Sequence, residues 1–222
     1  MTSLREQPPF RLGLDLDGVL CNFTRGFLGE LASVTGRAAP SDYVQRTWSD
    51  WHDYKASEVS QAWQRTHAPF WWQQLTPLDV TNMSVRQFLM RLWLQRQHIE
   101  VVFITTRPAM NARQQSIAWL ERHGMLQPQV IVAPSANAKA AICDALALDA
   151  FVDDYWVNLQ AIQRRRAEIP EASPTLPVLY CQPYNEPHRG AFLCVEGLPA
   201  LWREIAEWAR LPSFTGVIPQ AR

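Results

Sequence analysis

The chain has no excess of charge of either sign. Its 222 residues include 21 lysines and arginines and 21 aspartates and glutamates, which gives a formal net charge of +0. Proteins that bind nucleic-acid polymers or anionic membrane surfaces usually carry a basic surplus. We therefore expect neither partner. A small anionic substrate is compatible with this balance, because a local pocket can be positive on a neutral protein.

Cysteine and long apolar stretches are also scarce. No uninterrupted apolar run is long enough to cross a bilayer, and the first ten residues, MTSLREQPPF, lack the apolar region of a signal peptide. The cysteines show no C-x-x-C spacing, which argues against a disulfide framework and a zinc site. We therefore expect a cytoplasmic protein that keeps its thiols reduced. The four cysteines are Cys21, Cys143, Cys181 and Cys194.

Apolar residues are abundant, and tryptophan is unusually so. Hydrophobic residues make up 47% of the chain and charged residues 19%, which indicates a packed globular protein. Most of the ten tryptophans are expected to be core residues of a small helical unit, and one or two could face a flat ring of a ligand. The sequence does not separate these roles. Six of the ten are Trp48, Trp51, Trp63, Trp71, Trp72 and Trp93.

The most informative stretch is residues 11–20, RLGLDLDGVL. Alternating apolar residues predict a buried strand over about residues 10–16, and Asp15 and Asp17 appear as it ends. Gly18 then permits a tight turn. Ligands of a parallel sheet bind at the carboxyl ends of its strands, where two carboxylates could hold a hard cation or attack an electrophile. An ordinary strand followed by a solvent-exposed turn, with no functional site, is the alternative interpretation of this stretch.

The segment after this strand, residues 21–97, shows helical periodicity. We expect its helices to form a small cap inserted between the first and second strands, with residues 1–20 and 98–222 as the catalytic core. The predicted helices run from Phe23 to near Gly36, from Ser57 to His67 with Ser57 as the N-cap, and from Val80 to Gln97.

Strands and helices alternate in the remainder of the chain. This order predicts an α/β fold with a doubly wound parallel sheet. The tail after Leu211 is expected to be poorly ordered. The predicted strands are Glu100–Thr105, Val130–Ala133, Ala150–Val152 and Val178–Cys181, and the predicted helices are Asn111–His123, Ala136–Leu148, 156–168 and Leu198–Arg210.

Polar side chains recur at the predicted strand ends. Each has an ordinary structural explanation, such as a strand-end threonine, a surface lysine or a helix cap, and taken singly these explanations are at least as good as a functional one. Together they would require four coincidences at one edge of one sheet, so we expect a single site. The residues are Asp15 and Asp17, Thr105 and Thr106, Lys139, and Asp153 and Asp154.

With these motifs the chain resembles the haloacid dehalogenase-like phosphohydrolases, and within them the 5'(3')-deoxyribonucleotidase group. The tryptophan-rich segment 48–72 and the Tyr155-Trp156 pair depart from the group's pattern and leave the substrate open. The matching stretches are DLDGVLCNF at 15–23, ITTRP at 104–108, Lys139, FVDD at 151–154 and QPYN at 182–185.

The resemblance implies a Mg²⁺-dependent phosphatase that forms an aspartyl-phosphate. Asp15 would be the nucleophile, and Asp17 would protonate the leaving alkoxide and then deprotonate water. Mg²⁺ would be held by Asp15, by the backbone carbonyl of Asp17 and by the 153–154 pair, with Asp154 the direct ligand and Asp153 behind it.

The resemblance also implies how the substrate is held. Thr105, Thr106 and Lys139 would bind the phosphate, and Phe23 would stack on a base or ring. We expect a small phosphorylated metabolite as partner, most plausibly a (deoxy)nucleoside monophosphate, and a monomer or homodimer. A sugar phosphate or another metabolite phosphate is the alternative substrate. A halide-releasing hydrolase is disfavoured because it needs no general acid such as Asp17, and an idle ligand-binding module has no need of the full residue set.

Overall fold

In the computed structural model, the described residues are 8–40, 43, 51–78, 82–169 and 175–211. They contain one six-stranded sheet in the order β3-β2-β1-β4-β5-β6, and every neighbouring pair of strands is parallel. The predicted α/β doubly wound fold is thereby confirmed. The strands are β1 (Phe10–Leu14), β2 (Ile99–Thr105), β3 (Gln129–Val132), β4 (Ala150–Asp153), β5 (Leu176–Tyr180) and β6 (Leu193–Val195).

Helices connect the strands and cover both faces of the sheet. Within the described residues none is both long and apolar enough to span a membrane. The α-helices are α1 (Phe23–Thr35), α2 (Ala56–Arg65), α3 (Val85–Leu94), α4 (Ala112–Arg122), α5 (Ala136–Ala145), α6 (Trp156–Glu168) and α7 (Gly197–Trp208), and shorter 3₁₀ helices span Trp72–Gln74 and Pro183–Ala191.

Alternation along the strands divides the core into two apolar layers. Leu12 and Leu14 point to the layer that contains α1, α3, α4 and α7, whereas Phe151 points to the layer of α5 and α6. Gly13 lies between the two leucines and faces the second layer. A Cβ at this position would lie 2.6 Å from Cδ2 of Phe151, so the close packing of β1 against β4 requires glycine.

The connection between β1 and β2 contains α1, α2, the 72–74 turn and α3. Helix α1 packs on α2, whereas α3 contacts α7, where the rings of Phe88 and Trp202 meet edge to face with centroids 6.4 Å apart. The inserted segment therefore contacts α7 of the first apolar layer in addition to the contacts among its own helices. The division into a 21–97 cap and a core stays a prediction.

Two of the expected helix starts are wrong. Helix α2 begins at Ala56 with Lys55 as N-cap, because the Glu58 carboxylate accepts the Lys55 backbone N–H at 2.8 Å. Ser57 is therefore inside the helix and does not cap it. Helix α3 begins at Val85 rather than Val80, because the Ser84 hydroxyl accepts the Gln87 N–H at 3.2 Å.

The expected strands are present with ends shifted by one or two residues, and one strand was not expected. Strand β6 pairs with β5 at the edge of the sheet and is only three residues long, too short for a periodicity to show. Two sequence expectations fall outside the described residues, namely the tail after Leu211 and the position of Trp48.

Trp119 of α4 offers a test of how the insertion is tied to the core. It is fully buried, and its indole N–H donates to the carbonyl of Leu75 at 2.7 Å. We expect Trp119→Phe to lower the free energy of unfolding by about 1–3 kcal/mol, because a buried carbonyl loses its donor. Urea unfolding measures this. The control Trp93→Phe alters a half-buried ring that lies against Arg96 and should cost much less, and equal losses would contradict the assignment.

Candidate active site

The residues predicted to form a site come together at the carboxyl ends of β1, β2 and β4. They line a cavity of about 230 Å³, except for Asp153, which lies behind its wall and is fully buried. The strand order explains why these residues lie close together, since β1 lies between β2 and β4 in the sheet. The predicted residues in the lining are Asp15, Asp17, Phe23, Thr105, Thr106, Lys139 and Asp154.

Lys139 joins two of the carboxylates. Its Nζ lies 3.1 Å from Oδ2 of Asp15 and 2.7 Å from Oδ2 of Asp153, and the side chain is almost completely buried. Burial alone would lower the pKa of Lys139, but attraction to Asp15 and Asp153 outweighs it and raises that pKa above its ordinary value. Lys139 is therefore a fixed positive charge beside the Asp15 carboxylate.

Both oxygens of Asp153 are occupied by the protein. Oδ1 accepts the Tyr155 backbone N–H at 2.8 Å, and Oδ2 accepts from Nδ2 of Asn158 at 2.9 Å as well as from Lys139. Asn158 lies on α6, and the sequence analysis had not singled it out. Because each of its oxygens already accepts from the protein, Asp153 acts to orient Lys139 and Asn158.

Asp15 and Asp154 differ from Asp153 because each keeps an oxygen without a partner. Among the described residues, no donor reaches Oδ1 of Asp15 or Oδ1 of Asp154, although both atoms are buried. Burial raises the pKa of Asp15 to about 7 against the opposing attraction of Lys139. Burial, followed by repulsion from Asp153 and Asp15, raises the pKa of Asp154 well above its usual range. Buried carboxylates with unpartnered oxygens are unfavourable when ionised unless a cation binds them.

The spacing of these carboxylates fits a metal ion. Oxygens of Asp15, Asp153 and Asp154 all lie within 4.8 Å of one another. Hard divalent cations take such oxygen ligands, and the two unpartnered oxygens are the ones available to bind. The donor set is therefore compatible with a divalent metal held by Asp15 and Asp154.

A segment after β5 holds Asp154 in place. The Tyr184 hydroxyl donates to Oδ2 of Asp154, and Nδ2 of Asn185 donates to the carbonyls of Asp154 and Tyr180, both at 2.8 Å. These residues belong to the QPYN stretch, which the sequence analysis matched without assigning roles. Their contribution is to fix the loop that follows β4.

The same segment holds the turn after β1. Nε2 of Gln182 donates to the carbonyl of Gly18 at 2.6 Å. Gly18 has a positive φ of 80°, and a Cβ there would overlap the Asp154 carboxylate. The turn therefore requires glycine for its conformation and for its approach to Asp154.

Asp17 is held by Arg107, which was not among the predicted site residues. Nε of Arg107 donates to Oδ2 of Asp17 at 2.9 Å, and Nη2 donates to Oδ1 at 2.8 Å. The Thr105 hydroxyl adds a long contact of 3.4 Å to Oδ2. Burial opposes the charge of Arg107, but Asp17 more than compensates and raises the pKa of Arg107. The ITTRP motif contained this arginine, but its burial is not visible in sequence.

Aromatic rings form the wall opposite the carboxylates. Phe23, Trp63 and Trp72 line the cavity, and Phe23 stacks on both indoles with centroids 5.5 Å and 5.8 Å away. Phe23 is only 2% exposed, whereas Trp63 is half-buried. Trp63 is therefore the more accessible ring of the wall, and Phe23 supports it from behind. Trp71 does not line the cavity, but its ring meets that of Trp72 edge to face with centroids 4.7 Å apart, and its Nε1 donates to Glu30 at 2.8 Å.

The fold recurs in solved structures of low sequence identity. A haloacid dehalogenase family hydrolase from Deinococcus radiodurans R1, solved with bound phosphate and sodium, is 14% identical, with a TM-score of 0.58 over 93% of this chain and 99% of the other. A haloacid dehalogenase-like hydrolase from Streptococcus pneumoniae is 12% identical, with a TM-score of 0.54 over 88% and 98%. These similarities establish the haloacid dehalogenase-like fold.

The family is identified by sequence. No curated protein matches the chain. A family model described as 5' nucleotidase, deoxy (pyrimidine), cytosolic type C protein matches residues 9–193, which include every residue of the candidate site. The chain therefore belongs to this 5' nucleotidase family and is a phosphoric monoester hydrolase with a haloacid dehalogenase-like fold.

Proposed function

We propose that this protein is a Mg²⁺-dependent phosphatase that hydrolyses a (deoxy)nucleoside monophosphate through an aspartyl-phosphate. The observation that carries the proposal is the pair of buried, unpartnered oxygens on Asp15 and Asp154 beside the ammonium of Lys139. This arrangement suits a nucleophile and a cation that meet one phosphoryl group. The family's cytosolic type supports a cytoplasmic location.

In the first half of the reaction, an oxygen of Asp15 attacks phosphorus and the bond from phosphorus to the ester oxygen breaks. Asp17 gives a proton to that oxygen as it leaves. In the second half, water attacks phosphorus, the electron pair of the acyl-phosphate bond returns to Asp15, and the water proton passes to Asp17. Atoms and charge balance, and Asp15 and Asp17 recover their starting states.

Charge stabilisation comes from several groups. Thr105, Thr106 and Lys139 line the cavity beside Asp15, where they would contact the phosphoryl oxygens. Mg²⁺, when bound, supplies positive charge against those oxygens, and Asp15, Asp154 and the backbone carbonyl of Asp17 would hold it. Asp153 orients Lys139 from behind.

A nucleotide is favoured by the family and by the aromatic wall. The core carboxylates and threonines contact only the phosphoryl group, which every candidate substrate shares. Selection must therefore come from the rest of the cavity, where Phe23, Trp63 and Trp72 offer flat apolar surface.

A screen of phosphorylated metabolites tests the proposal. The purified protein is assayed for phosphate release from nucleoside 5'- and 3'-monophosphates, their deoxy forms and sugar phosphates, with Mg²⁺ and with EDTA. We expect turnover of nucleotides that stops in EDTA. Rapid turnover of a sugar phosphate without nucleotide turnover would overturn the substrate class, and activity in EDTA would overturn the metal requirement.

The aromatic wall makes a separate prediction. Trp63→Ala should raise KM for a nucleoside monophosphate about tenfold, because base–aromatic stacking is worth about 1–3 kcal/mol. KM for acetyl phosphate, which has no ring, should change little. Steady-state kinetics on both substrates measures the difference.

Trp93→Ala is the matched control, because its ring lies against Arg96 and away from the aromatic wall. This ring is also half-buried in the insertion but does not line the cavity. It should leave both KM values near those of the wild type. Equal KM increases on both substrates for Trp63→Ala would mean that the ring supports the phosphate site and not a base.

A further inference from the structure

Arg107 has the densest set of polar contacts of the residues around the cavity. Its guanidinium donates to both oxygens of Asp17, to the Ser116 hydroxyl at 2.9 Å and to Sγ of Cys21 at 3.2 Å. The side chain is completely buried and does not line the cavity. Arg107 therefore does not contact the substrate directly, and any part it has in the reaction passes through Asp17.

We propose that Arg107 is a positioning residue that orients the Asp17 carboxylate to accept the proton of the hydrolytic water. The proposal rests on the function proposed above. Its basis is the paired contact of Nε and Nη2 with the two oxygens of Asp17, at 2.9 Å and 2.8 Å. Such a fork fixes the plane of the carboxylate, which a single donor cannot do.

The fork leaves Asp17 able to react. Each carboxylate oxygen accepts two hydrogen bonds. Oδ2 of Asp17 receives Nε of Arg107 and the long Thr105 contact, whereas Oδ1 receives only Nη2 and keeps one acceptor position. Asp17 also lines the cavity, whereas the arginine approaches it from the buried side. The remaining acceptor position of Oδ1 is therefore the one that can take the proton of the water that attacks phosphorus.

The guanidinium is itself anchored at two further points. The Ser116 hydroxyl that accepts from Nη1 donates in turn to the carbonyl of Ala112 in α4, at 2.8 Å. The Trp72 ring lies 5.1 Å from Cζ, within cation–π range. Ser116 therefore links Arg107, and through it Asp17, to α4 in the core. The same arginine contacts Trp72 of the aromatic wall.

The two halves of the reaction depend on this orientation differently. When the leaving group is a good one, such as p-nitrophenolate, bond cleavage needs little help from a proton. Water in the second half always has a proton to give up, and Asp17 is the group placed to take it. Loss of the fork should therefore slow the hydrolysis of the aspartyl-phosphate and largely spare its formation from p-nitrophenyl phosphate.

The test is Arg107→Lys with p-nitrophenyl phosphate. Lysine keeps the positive charge but cannot bind both oxygens in one plane. We expect kcat to fall about 100-fold, as for a displaced catalytic group. KM should fall with it, so that kcat/KM stays within about threefold of the wild type. Rapid mixing should show a burst of p-nitrophenolate, and acid quenching should trap the phosphorylated protein.

Controls separate positioning from folding. Arg113→Lys alters an exposed arginine of α4, whose Nε donates to the Val130 carbonyl at 3.0 Å, and should leave kcat unchanged with no burst. Added guanidinium should restore kcat of Arg107→Ala but not of the Asp17→Asn variant. Thermal melting of each variant reports on the fold.

Other outcomes would overturn the inference. An unchanged kcat for Arg107→Lys, or equal losses of kcat and kcat/KM without a burst, would show that Arg107 does not act on the hydrolytic step. If the wild-type protein released no phosphate from any monoester, the proposed function would fail, and this inference with it. If the wild type is active, the variant alone decides the role of Arg107.

Discussion

Asp15→Asn is expected to lower phosphate release by several orders of magnitude. The substitution removes the nucleophile and an oxygen available to the metal in one step. No other carboxylate among the described residues is placed to replace it, because Asp153 lies behind the cavity wall, Asp154 would hold the metal and Asp17 would transfer the proton. Steady-state assays with Mg²⁺ measure the loss. A rate within about tenfold of the wild type, a change of only ~1.4 kcal/mol in the barrier, would refute the mechanism.

The fold should survive this change. Burial raises the pKa of Asp15 to about 7, from an ordinary value of 3.8, so the ionised side chain is disfavoured in the metal-free folded protein. The contribution of this group to the free energy of unfolding is therefore full below its ordinary pKa of 3.8 and is lost as the pH rises from there through about 7. Asparagine has no charge to bury, so the melting temperature in EDTA at pH 8 should not fall. Asp144→Asn, a change at a carboxylate paired with Arg165, is the control and should retain activity.

Asp154→Asn is expected to raise the Mg²⁺ concentration for half-maximal activity by about 100-fold or more, since even indirect partners of a metal are worth 10–100-fold in affinity. The structural reason is the unpartnered Oδ1 of Asp154, whose carboxylate belongs to a cluster with Asp15. A readout independent of activity is thermal stability, because a bound metal stabilises the folded state. Mg²⁺ should raise the melting temperature of the wild type and raise that of the variant much less.

Asp153→Asn provides the contrast. Its carboxylate orients Lys139 and Asn158, so its loss should lower kcat more than it alters the Mg²⁺ requirement. If Asp153→Asn alone damaged the metal response while Asp154→Asn left it intact, the assignment of the direct ligand to Asp154 would be reversed.

The central part of the site could be predicted because its residues stand at the ends of short apolar strands. Asp15, Thr105 and Asp153 each follow or end such a run, and a parallel sheet brings these ends to one edge. Strand identity and order along the chain were sufficient for this placement. Exact strand limits did not matter, which is why shifts of one or two residues left the expected cluster intact.

The supporting residues could not be predicted, because their roles depend on partners distant in sequence. Arg107 is paired with Asp17, 90 positions away, and the sequence around either residue does not indicate this ion pair. Tyr184 and Asn185 reach Asp154 from the loop after β5 in the same way. The prediction of where α2 begins failed for a different reason. Ser57 is the residue type typical of an N-cap, but the bond from the Lys55 N–H to the Glu58 carboxylate places the start at Ala56.

Composition predicted that most tryptophans would be buried, but not which of them would line the cavity. Their abundance predicted a packed helical unit, and Trp51 and Trp72 are buried within it. Which ring would face the cavity is decided by the tilt of α2 and of the 72–74 turn, and periodicity does not encode tilt. Trp63 and Trp72 line the cavity, whereas Trp71 turns its indole N–H toward Glu30.

The bond from Gln182 to the Gly18 carbonyl joins positions 164 apart, and β1 sits in the middle of a sheet whose other strands all follow it in the chain. During synthesis, Asp15 and Asp17, the proposed nucleophile and acid–base group, leave the ribosome before the segment that holds Asp154 and the Gly18 turn. An emerging chain therefore carries the reactive carboxylates without the scaffold that aligns them. Hydrolysis becomes possible only when the late strands dock, so activity reports completion of folding rather than the appearance of the catalytic motif.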